Sequence, residues 1–181
     1  MRILKENTIG LVIDIQYRLF SHIYDFENLE FHILRLIRGL KALNIPIQIT
    51  EQYVKGLGPT ITTIQEELDE DYKPIEKMEF SCLDNESYSL ALKSTGKKNV
   101  IIMGIESHVC VMQTVIDLIA NGYQPIVIED CVSSRKLSDK NTAINRMRAE
   151  GAIISSYEAI LFELCRVSGT EEFKLISKIV K

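Results

Sequence analysis

One cysteine of this chain lies where its thiol could act as a nucleophile. Residues 104–110 read Gly-Ile-Glu-Ser-His-Val-Cys and begin within an apolar run typical of a buried strand. If Ser107 is the N-cap of the next helix, Cys110 lies in the first helical turn, where the helix dipole stabilises a thiolate. Free backbone N–H groups of that turn could receive a developing oxyanion. The pattern favours nucleophilic catalysis by Cys110, and a buried structural cysteine is the alternative.

A catalytic cysteine also needs a base and a positively charged neighbour. His108 is two positions from Cys110, and side chains at that spacing on a helix point in different directions, so a Cys–His pair is not expected. We expect Asp14, which closes an apolar run, to be the base. The cation is then expected to be a lysine of residues 51–81, the least regular part of the chain, because long irregular segments are often functional.

An acidic residue follows each predicted strand. In open α/β sheets, ligands bind outside the carboxyl ends of the strands. Any one of these acids could cap the following helix, and together they could line a polar crevice. The four residues are Asp14, Glu51, Glu106 and Asp130.

The elements that position these residues are strands and helices in alternation. Four apolar runs predict strands at residues 9–13, 45–49, 100–105 and 125–128. Because near-continuous apolar strands are buried on both faces, the sheet is predicted to be mainly parallel. Helical spacing predicts helices at residues 29–43, 109–121, 141–149, 158–164 and 171–180. The alternation predicts a three-layer α/β/α sandwich with a Rossmann-like sheet, formed by one domain of residues 1–181.

The composition excludes several classes of protein. With 181 residues, 46% hydrophobic and 25% charged, the chain is typical of a globular domain and not of a disordered or fibrous protein. A net charge of −4 without a basic block makes a nucleic-acid partner unexpected. No apolar run reaches the roughly 18–20 residues of a membrane helix, and no secretion signal is recognisable, so we expect no membrane partner and a cytoplasmic location. The four cysteines form no C-x-x-C pair and are expected to be free thiols.

Three segments, in this order, resemble the isochorismatase-like cysteine hydrolases. They read Asp-Ile-Gln at 14–16, Glu-Lys-Met-Glu-Phe-Ser at 76–81 and Gly-Ile-Glu-Ser-His-Val-Cys-Val-Met-Gln-Thr at 104–114. Two further segments are similar to the isochorismatase domain-containing branch, whose members are mostly of unknown substrate. These read Thr-Glu-Gln-Tyr-Val-Lys-Gly-Leu-Gly-Pro-Thr at 50–60 and Asp-Cys-Val-Ser-Ser-Arg at 130–135. The resemblance covers nearly the whole chain.

The resemblance implies an aspartate–lysine–cysteine triad, carried here onto Asp14, Lys77 and Cys110. In such enzymes the aspartate takes the thiol proton, the thiolate attacks an amide-type carbonyl, ammonia or an amine leaves, and water hydrolyses the thioester. The resemblance also implies a cis peptide bond at Ile105–Glu106, with the amides of Glu106 and Cys110 as the oxyanion hole. Lys77 is expected to lower the pKa of the Cys110 thiol and to keep Asp14 charged.

Departures from the family pattern exclude some of the reactions that members of the family catalyse. Nicotinamidases of this family bind a metal through an aspartate and histidines after the second strand. Here residues 51–56 read Glu-Gln-Tyr-Val-Lys-Gly, and no histidine lies between His32 and His108. We therefore expect neither a metal nor another cofactor. True isochorismatases lack the cysteine, so Cys110 argues against their vinyl-ether cleavage.

We expect a small-molecule substrate in a pocket lined by Leu19, Tyr53 and Phe80, although each of these could instead be core packing. Relatives commonly form dimers or larger assemblies, so a homo-oligomer is expected. Two other functions stay open. The chain could be a catalytically idle oligomeric scaffold, which has no need of the triad, or a thiol redox sensor built on Cys110, which lacks a neighbouring resolving cysteine.

Overall fold

The computed structural model describes residues 2–181 and contains a six-stranded parallel sheet in the order β3-β2-β1-β4-β5-β6. The strands are β1 (Thr8–Ile13), β2 (Ile47–Gln52), β3 (Ile75–Lys77), β4 (Asn99–Ile105), β5 (Gln124–Ser133) and β6 (Ile153–Ser155). The chain starts at β1, winds outward to β3, and then returns to the other side of β1 with β4. The strand order therefore reverses between β1 and β4, which is where ligands bind in open α/β sheets.

Helices cover both faces of this sheet. They are α1 (Tyr17–Phe20), α2 (Phe26–Ala42), α3 (Val54–Leu57), α4 (Thr62–Leu68), α5 (Glu86–Ser94), α6 (Met112–Ala120), α7 (Leu137–Glu150), α8 (Tyr157–Cys165) and α9 (Glu171–Val180). Helices α2, α8 and α9 pack on one face, and α5, α6 and α7 pack on the other. The predicted α/β sandwich with a parallel sheet is confirmed. Within residues 2–181, no helix is both long enough and apolar enough to cross a membrane.

The alternation of side chains along each strand builds the two cores. In β1, Val12 packs on the α2 face, whereas Leu11 and Ile13 pack on the α6 face. In β4, Ile101 packs on the α2 face and Ile102 packs on the α6 face. Because successive side chains of a strand point to opposite faces, a strand covered by helices on both sides must be apolar throughout.

The ends of some elements differ from the prediction. Strand β5 was expected to end at residue 128, but it continues to Ser133 through the polar pair Glu129 and Asp130. At the level of this polar pair, the register between β4 and β5 shifts between Ile102 and Gly104 of β4. Beyond this irregularity the two strands pair again.

Six elements were not predicted at all: the strands β3 and β6 and the helices α1, α3, α4 and α5. Strands β3 and β6 have three residues each and form the edges of the sheet, so they are too short to show a period in the sequence. Residues 51–81, expected to be irregular, contain α3, α4 and β3.

Candidate active site

Asp14 and Lys77 form a buried ion pair at the carboxyl ends of β1 and β3. Lys77 Nζ lies 2.6 Å from Asp14 Oδ2, and the two side chains are 0% and 2% exposed. Asp14 has a φ of 53°, in the left-handed region that aspartate tolerates better than most residues. The Thr50 hydroxyl donates to Asp14 Oδ1 at 2.8 Å. Each carboxylate oxygen therefore has a donor, as a buried charge requires.

Strand β3 brings Lys77 to the site. Gln52 of β2 and Lys77 of β3 are register partners, and Lys77 Nζ donates to Gln52 Oε1 at 2.7 Å. The ammonium also donates to the carbonyl oxygens of Glu79 and Phe80, both at 3.2 Å. Burial is the largest single effect and disfavours the charged lysine, but Asp14, Cys82 and Cys110 together outweigh it and the pKa of Lys77 is raised. Lys77 is therefore a fixed positive charge at neutral pH.

Cys110 lies beside this ion pair with only 6% of its surface exposed. Its Sγ lies 3.9 Å from Gln52 Oε1. Burial raises the pKa of the Cys110 thiol, the Asp14 carboxylate raises it further, and Lys77 lowers it. The effect of Lys77 thus has the predicted sign, but burial outweighs it. At rest the cysteine is a neutral thiol close to the buried Asp14–Lys77 ion pair.

The helical turn that carries Cys110 begins differently from the prediction. It runs over Ser107–Val111 as a wide π-type turn, in which the Val111 N–H donates to the carbonyl of Glu106. The buried Ser107 hydroxyl does not cap it and has no partner among the residues that the structure describes. The peptide bond between Ile105 and Glu106 is cis, the geometry that the resemblance assigns to this bond.

Gly104 allows β4 to pass close to β1 just before this turn. It has a φ of 128°, and a Cβ at this position would lie 2.1 Å from the carbonyl oxygen of Ile13. Ile13 is the register partner of Gly104 and directly precedes Asp14. The close approach of the two backbones therefore sets the spacing between Asp14 and the cysteine-bearing turn.

Glu51 does not face the predicted crevice. It lies within β2, and its Oε1 accepts hydrogen bonds from the Thr60 N–H and hydroxyl, both at 2.7 Å, and from the Tyr72 hydroxyl at 2.6 Å. Burial, together with this bond to Glu51, raises the pKa of Tyr72 to about 12. Among residues 2–181, no three His, Cys, Asp or Glu side chains are grouped so that they could hold a metal ion.

The other two strand-end acids also have their own partners. Glu106 is buried and its Oε1 lies 3.1 Å from Nε of Arg135. Asp130 Oδ1 accepts from the N–H of Tyr157 at 2.9 Å, so it caps α8 and not the helix that follows it in sequence. Of the four acids, Asp14 alone pairs with Lys77.

The histidine next to the site is directed away from the thiol, as expected. His108 Nδ1 lies 2.9 Å from Ser134 Oγ, and its Nε2 lies 4.0 Å from Asp139 Oδ2. The His108 ring therefore contacts Ser134 and the α7 residue Asp139, and not the Cys110 thiol.

Of the three predicted pocket residues, two are connected to Lys77 through their backbones. The Tyr53 N–H donates to the Lys77 carbonyl at 2.9 Å, and the Phe80 carbonyl accepts from Lys77 Nζ. Their side chains are 44% and 53% exposed. Leu19 is partly buried and packs against the core on the α2 face. The structure thus places Tyr53 and Phe80 at the rim of the site and Leu19 against the core.

Sequence reasoning missed two glutamines. Gln52 Oε1 contacts both Lys77 and Cys110, as described above. Gln16 holds the backbone of Gln52 from both sides: its Oε1 accepts from the Gln52 N–H at 2.7 Å, and its Nε2 donates to the Gln52 carbonyl at 2.9 Å. Both glutamines lie inside the segments that carry the family resemblance, and this position was the one indication in the sequence that they belong to the site.

The carboxylate, the ammonium and the thiol thus meet at the carboxyl ends of the strands of a doubly wound parallel sheet, where open α/β proteins bind their ligands. The model of the Isochorismatase domain matches residues 8–159, and the chain belongs to the isochorismatase family. The predicted family is therefore confirmed.

Known relatives agree with this assignment. The chain is 34% identical over 180 residues to isochorismatase domain-containing protein 2 of Danio rerio, covering 99% of this chain and 89% of the relative. The solved structure of MAR1 ribonuclease from Caenorhabditis elegans superimposes with a TM-score of 0.92 at 38% identity, covering 99% of this chain and 92% of that one. The YcaC gene product of Escherichia coli, described as an octameric hydrolase of unknown specificity, has a TM-score of 0.93 at 25% identity, covering 99% and 89%.

Proposed function

We propose that this chain is a metal-independent cysteine hydrolase that cleaves a C–N amide-type bond of a small molecule. Asp14, Lys77 and Cys110 carry the reaction. The observation that carries the proposal is a buried carboxylate, held by a buried lysine, beside a neutral and nearly buried thiol. Such a carboxylate is a suitable base for the thiol because its charge is retained without solvent. Membership of a hydrolase family supports the same reaction class.

In the first half of the reaction, Asp14 takes the proton of the Cys110 thiol as Sγ forms a bond to the carbonyl carbon. The carbonyl oxygen becomes an oxyanion, for which the backbone amides of Glu106 and Cys110 are the proposed donors. The C–N bond then breaks, the leaving nitrogen takes the proton from Asp14, and ammonia or an amine departs. A thioester of Cys110 remains.

In the second half, water attacks the thioester and gives a proton to Asp14. The C–S bond breaks, the sulfur recovers a proton from Asp14, and a carboxylic acid leaves. Lys77 stays charged throughout because its pKa is raised, and its positive charge opposes the effect of burial on the thiol pKa. We place the substrate beside Tyr53 and Phe80, whose side chains are exposed and whose backbones contact Lys77, and we keep Leu19 as the third proposed pocket residue.

The similarity to the C. elegans structure makes RNA cleavage a second candidate function, because that protein is described as a ribonuclease. The net charge of −4 opposes it, since RNA binding depends on basic surface to neutralise phosphates. Incubation of a labelled RNA with the protein and with Cys110→Ala distinguishes the two. RNA cleavage that survives in Cys110→Ala would show that the ribonuclease activity does not depend on the proposed triad.

We further propose a cytoplasmic homo-oligomer. The E. coli structure neighbour is described as octameric, which supports assembly. The four cysteines are all free thiols, which suits a reducing compartment. Small-angle scattering or analytical ultracentrifugation gives the subunit number directly.

The experiment that tests the proposed function is a screen of small primary and secondary amides, read by release of ammonia or amine. Intact-protein mass spectrometry run in parallel detects the thioester, and hydroxylamine should remove it. We expect Cys110→Ala to abolish both signals while its circular dichroism is unchanged, and Cys165→Ala to retain both. Turnover that survives in folded Cys110→Ala would rule out the triad, whereas a wild-type protein without turnover would favour the scaffold or redox alternatives.

A further inference from the structure

We propose that Gln52 determines specificity by accepting a hydrogen bond from the N–H group of the scissile amide. Gln52 would then select amides that carry at least one N–H over esters and over fully substituted amides. This inference rests on the proposed amide hydrolysis and narrows its substrate class. The carboxyl end of β2 supplies the residue, and nothing in the reaction described above uses it.

The orientation of the Gln52 amide is fixed by the chemistry of its partners. Lys77 is only a donor, so the Gln52 atom 2.7 Å from Nζ must be the oxygen Oε1. The carbonyl of Met78 is only an acceptor, and the Gln52 atom 2.8 Å from it must be Nε2. The two requirements agree with each other. With its backbone held by Gln16, the side chain therefore presents an acceptor, and not a donor, to the thiol.

Part of the acceptor capacity of Oε1 is left for a ligand. A carbonyl oxygen has two lone pairs, and Lys77 occupies one of them. The other is directed toward Cys110 Sγ at 3.9 Å, which is a long contact with a weak donor. A substrate N–H is a stronger donor than a thiol, so it would displace this contact at a net gain.

Gln52 Oε1 lies next to the place that the substrate nitrogen must occupy. In a reactive complex, the attacking sulfur is about 3–3.5 Å from the carbonyl carbon. The nitrogen is bonded to that carbon, so it lies next to the sulfur, as Oε1 does. An amide N–H pointing toward β2 would donate to Oε1. An ester places an oxygen lone pair there, leaving Oε1 facing another acceptor, and such mismatches strongly reduce reaction.

The test uses two reagents that alkylate Cys110 without requiring turnover. Iodoacetamide carries an amide with two N–H bonds, and methyl iodoacetate carries an ester with none. In both, Sγ forms a bond to the CH₂ carbon, the C–I bond breaks, iodide leaves and the thiol proton passes to Asp14 or buffer. Rates at Cys110 are measured by peptide mass spectrometry and divided by the rate of each reagent with glutathione, which removes the difference in intrinsic reactivity.

We expect Gln52→Met to lower the normalised iodoacetamide rate about tenfold, the loss of roughly one hydrogen bond, and the methyl iodoacetate rate by less than about twofold. Gln48→Met, the same change earlier on β2, is the matched control and should alter neither rate. Gln52→Glu keeps an acceptor at this position, so it should retain the preference for the amide even if both rates fall. It also provides the test if Gln52→Met does not fold.

Each outcome separates the two proposals. Equal loss of both rates in Gln52→Met would show that Gln52 only positions Lys77 and Cys110, and no change in either rate would show that it has no role; both overturn the inference. If wild-type protein hydrolyses amides without a Gln52-dependent preference, the proposed function survives and the inference fails. If the preference is present but no amide forms a thioester, the inference stands and the proposed function fails. Absence of labelling at Cys110 by either reagent would overturn both.

Discussion

Lys77 Nζ lies 2.6 Å from Asp14 Oδ2, although the two residues are 63 positions apart and their side chains are buried. The contact joins the edge strand β3 to the central strand β1 across the end of β2. Its stability depends on both partners, because the attraction between the two charges compensates the cost of removing them from water. The pair is therefore a structural element of the sheet edge as well as a part of the site.

Removing one member of this pair should be costly. We expect Lys77→Met to lower the free energy of unfolding by about 3–5 kcal/mol, because it leaves Asp14 buried without a counter-charge. The double variant Asp14→Asn/Lys77→Met should recover most of that loss, since no charge is then buried. Urea denaturation of the four proteins in this double-mutant cycle gives the coupling directly. Additive effects of the two substitutions would contradict a coupled ion pair.

The pH dependence of Cys110 labelling tests the electrostatics of the site. Burial raises the pKa of the Cys110 thiol, so labelling by iodoacetamide should rise mainly above the ordinary thiol pKa of 9.0. Asp14→Asn removes the nearby negative charge and should move this titration to lower pH, while it abolishes hydrolysis. Lys77→Met removes the charge that lowers the pKa and should move it upward. A wild-type thiol that labels at its maximal rate at pH 7 would contradict a neutral resting cysteine.

The helices and strands with long apolar patterns were predicted best from the sequence. Helix α2 was recognisable because its apolar residues recur at helical spacing, and strands β1 and β4 were recognisable because their apolar runs are nearly continuous. Asp14 and Cys110 follow such strands directly, so their positions at one edge of the sheet could be expected. The place of Lys77 could not be derived in this way and came from the family resemblance, because β3 is a three-residue edge strand.

The contacts within the site were harder to predict than its location. Gln52 reaches Cys110 only because β2 continues beyond its apolar part to residue 52 and pairs with β3. The net direction of the thiol pKa depends on the balance of burial against two opposite charges, and burial is a property of the packed fold. The sequence showed the charges but not how deeply Cys110 is buried.

Cys82 should make stability fall at alkaline pH. This thiol is completely buried beside Thr50, and burial raises its pKa from 9.0 to about 11. Because the folded pKa lies above the unfolded one, the contribution to stability is fully present below about pH 9. It is lost as pH rises toward 11, by on the order of 2–3 kcal/mol. Urea denaturation of wild type and Cys82→Ala at pH 7.5 and 10.5 compares the loss of stability with and without this thiol. An equal loss of stability in the two proteins would contradict it.

Chelation should leave the chemistry unchanged. The Glu51 carboxylate, at the position where metal-binding relatives have their ligands, already accepts three hydrogen bonds from Thr60 and Tyr72. We expect dialysis against EDTA to change neither Cys110 labelling nor amide hydrolysis. Addition of Zn²⁺, Mn²⁺ or Mg²⁺ to the dialysed protein completes the experiment. A loss of activity that one of these metals restores would show that the reaction depends on a metal.

Gly104→Ala should damage both the sheet and the site. A Cβ at residue 104 would lie 2.1 Å from the carbonyl oxygen of Ile13, so β4 and β1 must separate at the step before Asp14 and before the turn that carries Cys110. We expect a loss of more than about 4 kcal/mol in the free energy of unfolding, or failure to fold. Gly122→Ala is the matched control: it also has a positive φ, but no atom lies within 4 Å of the added methyl group, and it should cost only about 1–2 kcal/mol. Urea denaturation measures both variants, and iodoacetamide labelling of Cys110 reports the site. Equal costs for the two substitutions would show that φ alone, and not the approach of β4 to β1, requires glycine at residue 104.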